Sequence, residues 1–188
     1  MATMVIGLVV FLGLHLIPAL PGHRNRLASG LGEQRYKGLF SLASLLGLAL
    51  IVIGYAVSER GPRLFASMPA AIAVAPYAIT LAFILLAAAN MKGHIRHSLQ
   101  HPMLIGILIW SGVHLLANGD LRGTVLFGAF FVYAAVDLVS VVRRHAVKSF
   151  VPSTRHDVIA IVAGVVVALV VMTLHPYLFG VRVVSFDF

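Results

Sequence analysis

The 188-residue sequence has no cysteine and only six acidic residues, and charged side chains make up just 11% of it. Without thiols there are no disulfides, thiolate metal sites, iron–sulfur clusters or covalent haem attachments through CxxCH. Any metal or haem must rest on other ligands, and histidine, with nine copies, is the obvious donor. The shortage of charge excludes a disordered chain and a large extramembrane catalytic domain, since soluble domains are about a quarter charged. The net charge of +8 does not mark a nucleic-acid binder, because the basic residues are scattered over short loops.

What is abundant is apolar: hydrophobic residues reach 60% and the mean hydropathy is +1.00. This predicts an all-α, polytopic membrane helix bundle embedded in a lipid bilayer. A crossing needs about 20 apolar residues. Six such spans are expected, at roughly 2–20, 38–57, 70–90, 102–118, 123–142 and 157–178. They leave no room for a second domain, so residues 1–188 are read as one transmembrane domain. The third span is Ala-rich, starts after Pro69 and suits close packing. No internal repeat is visible.

Loop charges give the expected orientation. Arg24, Arg26, Arg35, Lys37, Lys92, Arg96, Arg143, Arg144, Lys148 and Arg155 fall on one side, against Arg60, Arg63, Arg122 and Arg182 on the other. By the positive-inside rule both termini face away from the cytoplasm. No Lys or Arg precedes the first span, so it reads as an anchor rather than a cleaved signal.

Three histidines fall within spans: His15, His114 and His175. Polar groups there are costly and often functional. His114 shares a helix face with Trp110, Ser111 and Asn118, which gives either a pocket wall or an interhelical hydrogen-bond seam. His15 is either a neutral histidine bonded to a carbonyl or a ligand. His175, before Pro176, reads as interfacial. His94, His97 and His101 follow an i, i+3, i+7 spacing that suits a metal stripe or a solvated loop. His101 and His114 cannot share one metal, being roughly 20 Å apart along a helix and pointing different ways. Asp137, one turn after Tyr133, either orients a ligand histidine or pairs with Arg143 or Arg144.

The run Gln100-His101-Pro102-Met103-Leu104-Ile105-Gly106, followed by Ile109-Trp110-Ser111-Gly112-Val113-His114-Leu115-Leu116-Ala117-Asn118-Gly119-Asp120, resembles the NnrU family of membrane proteins. Gly13-Leu14-His15-Leu16-Ile17-Pro18, with Arg24 and Arg26, resembles that family's start. The resemblance implies a multi-pass protein of the bacterial inner membrane linked to nitrite and nitric oxide reduction in denitrification. The same superfamily includes the plant 15-cis-zeta-carotene isomerase, a haem b protein with histidine axial ligands. Carried over, this implies haem b ligated by His15 and His114, with His101 as the alternative metal ligand. Trp110, Ser111 and Asn118 would line the site and Asp137 would support it. The isomerase has a cysteine where this chain has Ser111, so a histidine–cysteine ligand exchange cannot operate here. His-Pro-Met-x-x-Gly also resembles, more weakly, a segment of isoprenylcysteine-type methyltransferases.

The function expected from this is haem-dependent redox or isomerase chemistry. The alternatives are a non-enzymatic accessory or assembly factor for nitrogen-oxide reductases, a small-solute or proton carrier, and a bundle without a cofactor. The substrate and the oligomeric state stay open.

Overall fold

The computed structural model describes residues 1–19, 22–145, 149–180 and 183. Its elements are α1 (Ala2–Leu16), running into a 3-10 turn at Ile17–Ala19, then α2 (His23–Leu31), α3 (Glu33–Val57), α4 (Pro69–Ala88), α5 (His94–Leu99), α6 (Pro102–Asn118), α7 (Leu121–Arg143) and α8 (Thr154–Phe179). All six expected apolar segments are helical. Four of them, α3, α4, α7 and α8, are long and apolar enough to cross a membrane. The other two, α1 and α6, are apolar but have only 15 and 17 residues. At 1.5 Å per residue that is about 22 and 25 Å, against a hydrocarbon core of about 30 Å.

Local chemistry explains the boundaries. Proline at the first helical position opens α4 and α6, where its missing N–H costs nothing. Asp120 caps α7 by accepting from the Gly123 amide at 2.7 Å. Gly119 ends α6 with φ +73°, and an added Cβ there would strike the Phe65 carbonyl. The 58–68 connection is laced to this turn: Leu64 N–H donates to Gly119 O at 2.8 Å and Met68 N–H to Leu116 O at 2.9 Å.

In space the long helices run α3–α1–α7–α6–α4–α8, each packing on its neighbours in that series. The order differs from the chain order, so α1 and α6 both flank α7. The main buried cluster, Met4, Leu8, Leu12, Ile51, Leu126 and Phe127, lies where α1, α3 and α7 meet. Outward faces of α3 and α8 expose Leu42, Leu45, Val52, Val162, Val166 and Leu169, as a lipid-covered bundle requires.

Two short helices, α2 and α5, sit at the end of the bundle rich in Arg and Lys. Asp157, on α8, holds α5. It accepts from the His94 and Ile95 amides at 2.8 and 3.0 Å and from His94 Nδ1 at 2.7 Å. Asp157→Ala leaves both amides uncapped. Their hydrogen exchange should quicken by about an order of magnitude, with α4 and α7 amides unchanged.

Candidate functional site

α7 turns an aromatic stripe, Phe127, Phe130 and Tyr133, toward the seam between α1 and α6. Successive members are three residues apart and share a face. The in-membrane histidines attach to this stripe at different levels. On α6, His114 packs against Phe127 with ring centroids 4.7 Å apart and against Trp110 at 5.4 Å. On α1, His15 packs against Phe11 at 4.3 Å, Phe40 at 5.3 Å and Tyr133 at 6.5 Å. Between them, Phe130 touches Trp110 at 5.4 Å and Phe11 at 6.1 Å. Phe127 and Tyr133 are six residues apart, about 9 Å along the helix. His15 and His114 therefore belong to two neighbourhoods joined by aromatic rings.

Both imidazoles are set up in the same way. His15 Nδ1 donates to Phe11 O at 2.7 Å, and His114 Nδ1 donates to Trp110 O at 2.8 Å. Carbonyl oxygens only accept, so the proton is on Nδ1. In the neutral ring this leaves the Nε2 lone pair available to a ligand, the tautomer a metal-binding histidine needs.

The other expected site residues divide. Ser111 is fully buried, but its hydroxyl donates to Ile107 O at 2.6 Å within its own helix. Asn118 Nδ2 donates to the His114 carbonyl at 2.7 Å and does not reach the ring. Asp137 accepts from the Tyr133 hydroxyl at 3.5 Å, so its link to His15 among the described residues runs through the Tyr133 ring. Arg144 donates to Pro18 O at 3.0 Å. His101 is the N-cap of α6, at the opposite end of that helix from His114. His94 is engaged by Asp157, and His97 packs edge-on against Phe150. Among the described residues no group of three or more His, Asp or Glu is gathered around a common metal position.

Sequence reasoning passed over α7's stripe and took His175 as interfacial. In the fold His175, on α8, faces His114 with ring centroids 6.5 Å apart and an interplanar angle of 36°. Phe179 covers its other side at 4.8 Å. The available signal was depth: His114 lies one turn from the end of α6 and His175 one turn from the end of α8.

A haem is the group the resemblance implies, and the donor chemistry fits it. His15 and His114 each carry a proton on Nδ1, which in the neutral ring leaves Nε2 to a metal, and their surroundings are aromatic. Fold and site together define a polytopic helical membrane protein with imidazole donors inside the bundle. The chain belongs to the NnrU protein family, whose model matches residues 3–183. No curated protein and no solved structure matches it.

Proposed function

We propose that this protein binds haem b inside the membrane through His114 and serves nitrogen-oxide reduction. The observation that supports this reading is the Nδ1–carbonyl bond that leaves His114 Nε2 as the free donor in an aromatic, water-poor setting. When bound, haem supplies one-electron chemistry or Lewis acidity at iron. The chain's contribution would be to hold the imidazole by the Trp110 carbonyl, to pack it with Phe127, and to crowd the site with Trp110 and Phe130. The family resemblance supports the link to nitrite and nitric oxide reduction. His15, the ligand the resemblance pairs with His114, would reach the same iron only if Phe11, Phe130 and Trp110 gave up their mutual contacts.

The orientation belongs to the same proposal. The Arg- and Lys-rich end, with α2 and α5, faces the cytoplasm of a bacterial inner membrane. Reporter fusions after residues 32 and 61 should report opposite sides.

The direct test is the absorption spectrum of the full chain after gentle detergent extraction. A Soret band is expected, and His114→Ala should reduce haem per protein more than about tenfold. Wild-type protein that is monodisperse and folded, yet neither holds nor takes up haem, would sink the reading. The close ring packing along α7 favours one second reading, an accessory factor for nitrogen-oxide reductases without its own cofactor. In that case a deletion strain makes normal reductase transcripts but inactive enzyme, and His114→Ala complements it fully.

A further inference from the structure

The 58–68 connection is irregular backbone, yet it takes up the groups that the α6–α7 turn leaves open. At the end of α6 the carbonyls of Leu116 and Gly119 accept from the Met68 and Leu64 amides at 2.9 and 2.8 Å. The Asn118 carbonyl accepts from the Ser67 hydroxyl at 3.1 Å. At the start of α7 the Leu121 and Arg122 amides donate to the Pro62 and Arg60 carbonyls at 3.0 and 3.1 Å. Helix ends often turn such groups to water. Here the two loops satisfy each other, which is what irregular backbone needs in order to sit at membrane depth.

The level of these loops follows from α3. Residues 38–57 carry no charge and at 1.5 Å per residue span about 30 Å, the thickness of the hydrocarbon core. Val57 therefore marks the apolar edge, and Arg122, bonded to the Ser58 carbonyl, puts the start of α7 at the same level. At that edge Leu64, Met68 and Phe65 are 52, 48 and 37% exposed. Arg60 and Arg63 are exposed in the same segment. Arg63 donates to the Ser67 hydroxyl at 3.1 Å, and neither guanidinium meets a carboxylate among the described residues. Of the two nearest acids, Asp120 caps the Gly123 amide and Glu59 is exposed. Apolar side chains beside two unpaired cations match the boundary between acyl chains and lipid phosphates.

We propose that the 58–68 segment docks in the phospholipid head-group boundary at the end of the bundle opposite α2 and α5. Leu64, Phe65 and Met68 enter among the acyl chains, and Arg60 and Arg63 pair with lipid phosphates. The occupant is lipid because the segment lies at the hydrocarbon edge, where phosphates are the nearest anions. The proposal is independent of whether the protein binds haem.

The chain has no cysteine, so Leu64→Cys, Phe65→Cys, Arg60→Cys and Val166→Cys each take a single nitroxide label. Val166, exposed on the outward face of α8, is the mid-membrane reference. The labelled full chains pass gel filtration as a folding check and are reconstituted in phosphatidylcholine–phosphatidylglycerol vesicles. Collision with oxygen and with a water-soluble nickel chelate then gives the depth of each label. Labels at Leu64 and Phe65 should lie about 5 Å below the phosphates, deeper than the one at Arg60 and shallower than the one at Val166. Chelate contact at Leu64 and Phe65 as free as at Arg60 would put the segment in water. Shielding from oxygen and chelate alike would mean that a protein surface, a second copy or another chain, covers it. Either result overturns the assignment. A second measurement addresses the phosphates. Phosphatidylglycerol added to the detergent-solubilised chain should raise the thermal midpoint, and phosphate-free digalactosyldiacylglycerol should raise it less. Arg60→Gln combined with Arg63→Gln should lose part of the phosphatidylglycerol rise, taken as the midpoint with lipid minus that without, while Glu59→Gln keeps it. An undiminished rise in the double variant overturns the phosphate contact.

Discussion

Gly7→Leu should abolish the recoverable folded protein, whereas Gly13→Leu on the same helix should be nearly silent. The reason is the α1–α3 crossing, where glycine replaces side chain with backbone contact. A Cβ built on Gly7 would lie 2.6 Å from Ile51 N and 2.8 Å from Gly47 O. On the facing helix, a Cβ on Gly47 would lie 2.9 Å from Phe11 N, and one on Gly54 would strike the Met4 backbone. These obstacles are main chain, so no rotamer change relieves them and the helices must separate. Core overpacking costs about 1–3 kcal/mol when side chains can adjust. Here they cannot, and a loss of more than about 3 kcal/mol is expected. Gly13 has nothing within 4 Å of an added Cβ, so leucine there should change stability by no more than about 0.5 kcal/mol. The measurement is the fraction monodisperse in detergent after a temperature series. Equal behaviour of the two variants would refute a glycine-mediated crossing. Such crossings are how membrane helices gain close packing without a hydrophobic driving force between them.

The same crossing shows what was legible in the sequence. Hydropathy found the six apolar segments that are helical, four of them long enough to cross a membrane, because a bilayer sets a length scale for a span. Pro69 and Pro102 marked two starts, since each satisfies a purely local rule. The packing order α3–α1–α7–α6–α4–α8 was not legible, because it depends on which small residues meet. Gly7 and Gly47 are far apart in the chain and carry no local sign of their contact. The two short helices were missed for a related reason. The α5 N-terminus is capped by Asp157, 63 residues away, and α2 is steadied by the Arg24–Glu33 pair at 2.7 Å across the turn into α3.

At the site, the i, i+4 spacing of Trp110, His114 and Asn118 correctly placed them on one face. Spacing does not reveal where a polar hydrogen goes. Ser111 and Asn118 spend theirs on carbonyls of α6 itself, the local alternative always open to such side chains in a helix. The surroundings of His114 were the larger gap. The resemblance paired it with His15; in the fold Phe130 of α7 touches both Trp110 and Phe11 between the two histidines, and the His175 ring lies 6.5 Å from His114. That outcome is set by helix order, which no single segment encodes.

Arg122→Ala should be the most damaging loss of a polar side chain, at about 3 kcal/mol. The guanidinium lies 4.1 Å over the Tyr55 ring, and its Nη1 donates to Tyr55 O at 3.0 Å and Ser58 O at 2.8 Å. These are carbonyls at the end of α3, where the helix leaves acceptors unsatisfied and the dipole favours a cation. Ser58 in turn donates to Gly54 O and accepts from the Met1 ammonium. One side chain of α7 therefore gathers the start of α1 and the end of α3. Alanine removes the cation and leaves the two carbonyls without it. Arg122→Lys keeps the charge but loses the planar fork and most of the stacking, and should recover no more than about half of the loss. The consequence extends to the histidines. Arg122 anchors the turn that sets α7's register, and Phe127 lies five residues further on, against His114. On the haem reading proposed above, Arg122→Ala should therefore also weaken hemin uptake. A lowered thermal midpoint together with reduced hemin uptake is the expected pair of readings. Full stability in Arg122→Ala would mean that the α3 terminus needs no cation.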